Sequence, residues 1–253
     1  MKSILLAFLL IVNVLHGEQI SWEKPVIIGA SLSDGFHLRG RGIPFASRRS
    51  KGLGLHHHLK SSLTASHGPI LNLGSNWFFL ATEAKGKYQV NRARKVKATV
   101  VFAIHYLFWY LSAEPRQRGR EFRDLSRLEF FEKGLAHLAT LKCPVVVGNI
   151  PDARSSVGKV LKEKQYAGAE TIAKANARLV VWLKDHPNIA LMDLHRFHQL
   201  ASTDQEMEVV GQTIPEGQTR KLYLQWDQLH PTPTGASSIA KVALDVLEKH
   251  QKD

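Results

Sequence analysis

Five short runs of aliphatic and β-branched residues punctuate the chain: Val26-Ile27-Ile28, Ile70-Leu71-Asn72, Thr99-Val100-Val101-Phe102-Ala103-Ile104, Val145-Val146-Val147 and Ile189-Ala190-Leu191-Met192. Each is nearly all apolar rather than alternating, the pattern of parallel strands covered on both faces. Between them, apolar residues recur at three- and four-residue steps. Leu125, Leu128, Phe131, Leu135 and Leu138 form one such series, and Ile172, Ala173, Asn176, Leu179, Val180 and Leu183 a second with one polar interruption. The last, Ile239, Val242, Ala243, Val246 and Leu247, follows Pro231-Thr232-Pro233-Thr234, where the prolines and Thr234 are suited to starting a helix. Strands alternating with helices predict an α/β fold, a three-layer α/β/α sandwich whose parallel sheet is joined by right-handed crossovers. In such a sheet, function is sought just beyond the carboxyl ends of the strands. The stretch 202–220, with Gly211, Pro215 and Gly217, reads as a long loop.

The first residues add an address. Lys2 precedes an apolar run from Ile4 to Val12 that gives way near Leu15-His16-Gly17. This reads as a secretory signal peptide over 1–17, too short for a spanning helix, and leaves 18–253 as one domain exported to the periplasm or beyond. Cys143 is the only cysteine, so export brings no internal disulfide and the fold rests on its core. Its place in Leu141-Lys142-Cys143-Pro144-Val145 is a strand entrance rather than a nucleophile's position.

Charge narrows the partners. The whole chain carries a formal +12, and losing Lys2 with the signal leaves +11. Such a balance favours anionic partners: a polyanionic glycan, a phospholipid surface or nucleic acid. The cations fall in two groups, Arg39, Arg41, Arg48, Arg49 and Lys51, then Lys85, Lys87, Arg92, Arg94, Lys95 and Lys97. Neither group has the interleaved aromatics of a single-strand binding surface, so each reads as a solvated face and no nucleic-acid partner is expected.

Two segments carry chemistry. After the first strand comes Gly29-Ala30-Ser31-Leu32-Ser33-Asp34-Gly35, which places Ser31 in a strand-to-helix turn at the sheet's edge. That position suits a nucleophile and also an ordinary helix cap. It is not a Gly-x-Ser-x-Gly elbow, since Ser33 occupies the place of the second glycine. Near the other end stands Trp226-Asp227-Gln228-Leu229-His230-Pro231-Thr232. An aspartate and a histidine three apart, in a loop entering the last helix, can turn toward one site as orienting carboxylate and base.

Together these blocks resemble the SGNH (GDSL-type) hydrolases. Gly29 to Gly35 looks like that family's Gly-Asp-Ser-Leu block, Asn72-Leu73-Gly74 like its oxyanion glycine block, and Asp227-Gln228-Leu229-His230-Pro231 like its terminal Asp-x-x-His-Pro block, in family order across nearly the whole chain. The resemblance implies a flavodoxin-like parallel sheet, with Ser31 as nucleophile, His230 as general base and Asp227 as its partner. It also implies an oxyanion hole from the backbone N–H groups of Ser31 and Gly74. Two positions depart from the pattern: Ala30 replaces the first block's aspartate, and His105 stands where the third block supplies an asparagine to the hole. Imidazole can donate a hydrogen bond, so His105 is the expected substitute. Gly148-Asn149-Ile150-Pro151-Asp152 resembles a further family segment and reads either as a pocket wall through Asn149 or as a turn capped by Asp152. Phe108, Trp109 and Tyr110 follow the third strand as an acyl-pocket lining, Trp109 foremost, or as core.

Other chemistries fit less well. His56-His57-His58 point in different directions if helical and read as solvent-facing, and Asp193, His195 and His198 lack a further ligand, so no metal is expected. The first turn lacks Gly-x-Gly-x-x-Gly, which disfavours a dinucleotide cofactor. The sequence therefore predicts a cofactor-free serine esterase acting on a small-molecule, glycan or lipid ester through an acyl-enzyme, with transient membrane-surface contact. Its activity is expected to fall as His230 protonates in mild acid. A catalytically weakened relative that binds an envelope glycan or lipid is the alternative.

Overall fold

The computed structural model describes residues 20–35 and 54–252. The expected signal peptide, 1–17, and the first basic group lie outside them. Four of the apolar runs become strands of three or four residues and the fifth a two-residue strand: β1 (Pro25–Ile27), β2 (Leu71–Asn72), β3 (Val100–Ala103), β4 (Val145–Gly148) and β5 (Ile189–Met192). They pair in parallel throughout, in the order β2-β1-β3-β4-β5, which is the expected flavodoxin-like sheet.

Strand alternation divides the core in two. Val26, Val101, Ala103, Val145 and Val147 face one cluster, and Ile27, Val100, Phe102 and Val146 face the other. The two-residue period of a strand therefore sends neighbouring side chains of the same apolar run into separate cores.

The helices follow in chain order. A four-residue turn, α1 (Ser31–Asp34), leaves β1, and α2 (Leu55–Ser62) lays Leu55 and Leu59 on the second core. A 3-10 turn, Phe78–Ala81, leads into α3 (Thr82–Lys95), and the short α4 (Phe108–Ser112) and α5 (Pro115–Arg118) succeed β3. On the first core lie α3, α4, α6 (Arg127–Leu138) and α7 (Ala169–Leu183). The second core is closed by α8 (Leu194–Ser202), α9 (Thr219–Tyr223) and α10 (Pro233–His250). No helix among the described residues is long and apolar enough to cross a membrane.

Local chemistry sets the boundaries. Ser126 accepts the Glu129 N–H while the Glu129 carboxylate accepts the Ser126 N–H, a capping box at the start of α6. Helix α10 begins two residues earlier than expected. Thr232, not Thr234, is its cap, with its hydroxyl accepting the Gly235 N–H at 3.0 Å and Pro233 filling the first helical position, where a missing N–H costs nothing.

The stretch read as a loop, 202–220, contains an antiparallel hairpin of β6 (Met207–Val209) and β7 (Gln212–Ile214). Its two-residue turn, Val210-Gly211, holds φ of 45° and 75°. Both are positive, as a primed turn requires, but valine is a poor signal for it.

A glycine at the end of β4 shows how closely the strands are held. A Cβ on Gly148 falls 2.3 Å from the Ile104 carbonyl oxygen, a backbone atom that can retreat only by parting β3 from β4. We expect Gly148→Ala to lower stability by about 1–3 kcal/mol. In urea the unfolding midpoint falls with the slope unchanged, and an unshifted midpoint refutes the close approach.

Candidate active site

The carboxyl ends of β1, β2 and β3 and the loop before α10 converge. After β1 the chain turns through Gly29 at φ 131°, a conformation open to glycine, and enters α1 at Ser31. The turn is braced from both sides. Ser33 Oγ donates to the Ile28 carbonyl at 3.1 Å, and the Gly35 N–H, in the left-handed conformation at the end of α1, closes on the Ser31 carbonyl at 2.9 Å.

From the far end of the chain, the loop 225–231 is folded around a carboxylate. Asp227 is fully buried, and its Oδ1 accepts the Leu229 and His230 N–H groups at 3.0 and 2.9 Å. Its Oδ2 lies 2.7 Å from His230 Nδ1. Burial pushes the Asp227 pKa upward, but the hydrogen bond and charge of His230, with the two backbone donors, outweigh it and hold the carboxyl below its ordinary range. An ionised carboxylate only accepts, so His230 Nδ1 carries the proton and Nε2 presents a lone pair. Ser31 Oγ donates to that Nε2 at 2.8 Å across 199 positions of sequence. Ser31, His230 and Asp227 thus stand in one hydrogen-bonded line, the arrangement expected of a nucleophile, its base and an orienting carboxylate.

His198, on α8, supports this loop from beneath. Its Nε2 donates to the carbonyl of Gln228, a non-glycine residue held at φ 56°. The sequence marked His198 only as a weak metal candidate, with Asp193 and His195. Those two act locally: Asp193 caps α8 by accepting the Arg196 N–H, and His195 Nδ1 donates to the Ile150 carbonyl. Among the described residues no cluster of His, Cys, Asp and Glu is arranged to hold a metal ion.

The groups expected to form an oxyanion hole are only partly unengaged. The Ser31 N–H, at the start of α1, meets no acceptor among the described residues. The Gly74 N–H, expected as the second donor, is instead given to Asn72 Oδ1 at 2.9 Å. Asn72 also donates through Nδ2 to the Ser33 carbonyl at 2.8 Å, so it ties β2 to the nucleophile turn. His105 is buried, stacked on Phe108 with ring centroids 4.8 Å apart, and its Nδ1 has no partner among the described residues. Burial first, then the neighbouring His230 and His198, push its pKa down to about 3, so it is neutral at physiological pH and able to donate from one nitrogen.

Beside these three imidazoles lies a cavity of about 30 Å³, lined also by Leu32, Phe197 and Leu229. That is room for a water or two, far below a ligand pocket. Neither Trp109 nor Asn149, both expected in the pocket, lines it. Trp109 packs in the core against Phe79 and Phe108, because helix α4 turns its whole aromatic run inward. Asn149 spends its amide on Asp193 Oδ1 and its carbonyl on the His195 N–H, joining β4 to α8. Asp152 accepts the Arg154 N–H, as the turn reading of that segment requires. The three consecutive histidines are helical, but only His57 is exposed: His58 is buried and His56 Nδ1 sits 3.2 Å from the Asn72 amide. Cys143, just before β4, has its thiol pushed up to about 11 by burial, which makes it a poor nucleophile.

One supporting side chain was not foreseen. Gln89, buried on α3, accepts the Gly29 N–H at 2.7 Å and donates to the carbonyls of Gly29 and Leu73 at 3.0 and 2.8 Å. A single amide therefore holds the nucleophile turn against the loop that carries Gly74. Nothing in its sequence context marks it, whereas Asn72 two residues before Gly74 has the spacing of an Asx turn.

Neither a protein-family model nor a curated protein sequence matches the chain. Solved structures do. An acetylxylan esterase from Geobacillus stearothermophilus is similar over 90% of this chain and 94% of its own, at 16% identity and a TM-score of 0.53. An alpha/beta hydrolase enzyme from the metagenome of Lake Arreo, Spain, is similar over 91% and 97%, also at 16% and 0.53. A GDSL-like lipase from Bacteroides thetaiotaomicron is similar over 90% and 88%, at 12% and 0.53. At these identities the likeness is one of fold: the chain has the fold of the SGNH hydrolases.

The buried imidazoles make stability depend on pH. In the unfolded chain His105 takes up a proton near its ordinary 6.5, but in the folded chain only near 3. The unfolded state therefore binds more protons across that window, and stability falls as pH drops from 6.5 toward 3, with burial of His198 acting in the same direction. Urea unfolding between pH 7 and pH 4 should show a smaller loss for His105→Asn than for the wild type. Identical losses refute a neutral, buried His105.

Proposed function

We propose that the chain is an exported serine esterase that cleaves carboxylic esters through an acyl-enzyme on Ser31. The observation that carries this reading is the line Ser31 Oγ, His230 Nε2, His230 Nδ1, Asp227 Oδ2, with separations of 2.8 and 2.7 Å at its two hydrogen bonds. A fold held in common with esterases and lipases supports it. Export is supported by the pattern of Lys2 and the apolar run behind it.

In this mechanism Ser31 Oγ attacks the ester carbonyl as its proton passes to His230 Nε2, and the ionised Asp227 stabilises the imidazolium. The tetrahedral oxyanion takes the free Ser31 N–H, and a second donor comes from His105 or from Gly74 once Asn72 releases its N–H. Collapse expels the alcohol with the proton from His230. Water, deprotonated by the same imidazole, then frees the acid and restores Ser31. No cofactor enters either half. Since the enclosed space beside His230 is water-sized, the acyl group lies against the open face of the site rather than in a tunnel lined by the described residues.

Two features favour a second reading, a binding protein of the same fold: the Gly74 N–H is already engaged and a histidine replaces the family's asparagine. Labelling with a fluorophosphonate probe, alongside p-nitrophenyl acetate turnover, separates the two. We expect the wild type to label and turn over and Ser31→Ala to do neither. Asp227→Asn should lower kcat by about 10⁴-fold, and His105→Ala by about 100-fold, the cost of one oxyanion donor. His105→Asn, which restores an amide donor, should retain activity. A folded wild type that neither labels nor turns over refutes the esterase and leaves the binding protein.

A further inference from the structure

The stretch from Trp77 to Lys97 carries both charge and exposed apolar side chains. Helix α3 buries Thr82, Gly86, Gln89, Val90 and Ala93 and turns Ala84, Lys87, Tyr88, Asn91, Arg92 and Lys95 outward. Lys85, Lys87, Arg92, Arg94, Lys95 and Lys97 are opposed within the stretch by Glu83 alone, a net +5 of the chain's +12. Glu83 does not serve them, because its carboxylate is 2.7 Å from His137 Nε2 on α6. Among the described residues none of the six cations makes an ion pair.

Charge alone describes a solvated face, but the same stretch exposes large apolar side chains. Trp77, Leu80 and Tyr88 are 57%, 53% and 64% exposed, three of the seven such side chains among the described residues. Tyr88 sits inside the basic group itself, an aromatic that the sequence reading passed over. An exposed tryptophan, leucine and tyrosine in the same stretch as six lysines and arginines that make no ion pair among the described residues match a bilayer's two layers, apolar side chains for the acyl boundary and cations for the headgroups. An acidic polysaccharide or nucleic acid uses the cations but leaves Leu80 without a role.

We propose that residues 77–97 form a docking face for an anionic lipid surface. The start of this stretch is tied to the turn after β1. The Ser75 N–H bonds to the Gly29 carbonyl at 3.1 Å, the Asn76 N–H to Asp34 Oδ2 at 3.0 Å, and α3 grips the same turn through Gln89. The docking itself does not depend on Ser31 acting as a nucleophile.

The test is sedimentation of the mature chain with vesicles of phosphatidylcholine alone and with a third of the lipid replaced by phosphatidylglycerol. We expect binding only to the anionic vesicles, weakened by salt. Replacing Lys87, Arg92 and Lys95 by glutamine should cost about 5-fold in affinity per cation. Trp77→Ala, Leu80→Ala and Tyr88→Ala combined should cost at least ~10-fold with the circular dichroism unchanged. Absence of binding to anionic vesicles overturns the proposal. So does binding that the apolar triple variant leaves unchanged and that soluble polygalacturonate abolishes, which assigns the face to a polyanion instead.

Discussion

The site depends on a negative charge kept out of water. A carboxylate buried as completely as Asp227 is tolerated only when its oxygens are filled, and the chain fills them from its own next three residues. That requirement shapes everything around it. To aim the Leu229 and His230 N–H groups at one oxygen, Gln228 is driven to φ 56°, a strain of about 1–3 kcal/mol for a side-chain-bearing residue. The strained carbonyl is then anchored by His198. The loop is closed behind by the Gln225 N–H on the His230 carbonyl at 2.8 Å and by the Leu224–Pro231 bridge, and the chain passes straight into the Thr232 cap of α10. The imidazole is left one orientation, with its second nitrogen toward β1.

The sheet supplies the other half of that alignment. Because its strands are parallel, all their carboxyl ends lie at one edge, and the order β2-β1-β3 sets Asn72 and His105 on either side of Ser31. Asn72 and Gln89 then act as struts between neighbouring loops, each using both ends of an amide. Such groups are costly to bury unless fully bonded, so once satisfied they hold a geometry more tightly than apolar packing alone.

What the sequence revealed follows from how each element is stabilised. The strands were legible because both faces are buried, which leaves uninterrupted apolar runs. That Ser31, Asp227 and His230 would meet was legible because the chemistry expected of them needs particular residue types at particular ends of the chain. Helix α3 was not, since its buried stripe is made of small and polar residues, Thr82, Gly86, Gln89 and Ala93 with Val90, and its packing on Tyr106 and Tyr110 needs the absence of a side chain at Gly86. The hairpin of β6 and β7 hid behind a valine in its turn. Trp109 and Asn149 were misplaced for a shared reason: position after a strand says which edge a residue is near, but not whether the following helix turns it inward or a neighbour claims its hydrogen bonds.

Ser31 and His230 are separated by 199 residues, with nearly the entire sheet between them in sequence. During synthesis the serine emerges early and its imidazole almost last, after every strand of the central sheet has been made. A growing chain thus holds Ser31 apart from His230 until α10 seats against α2 and the second core closes. On the proposed esterase reading, the timing of reactivity is written into the order of the chain: the hydroxyl meets its base only when the fold is complete.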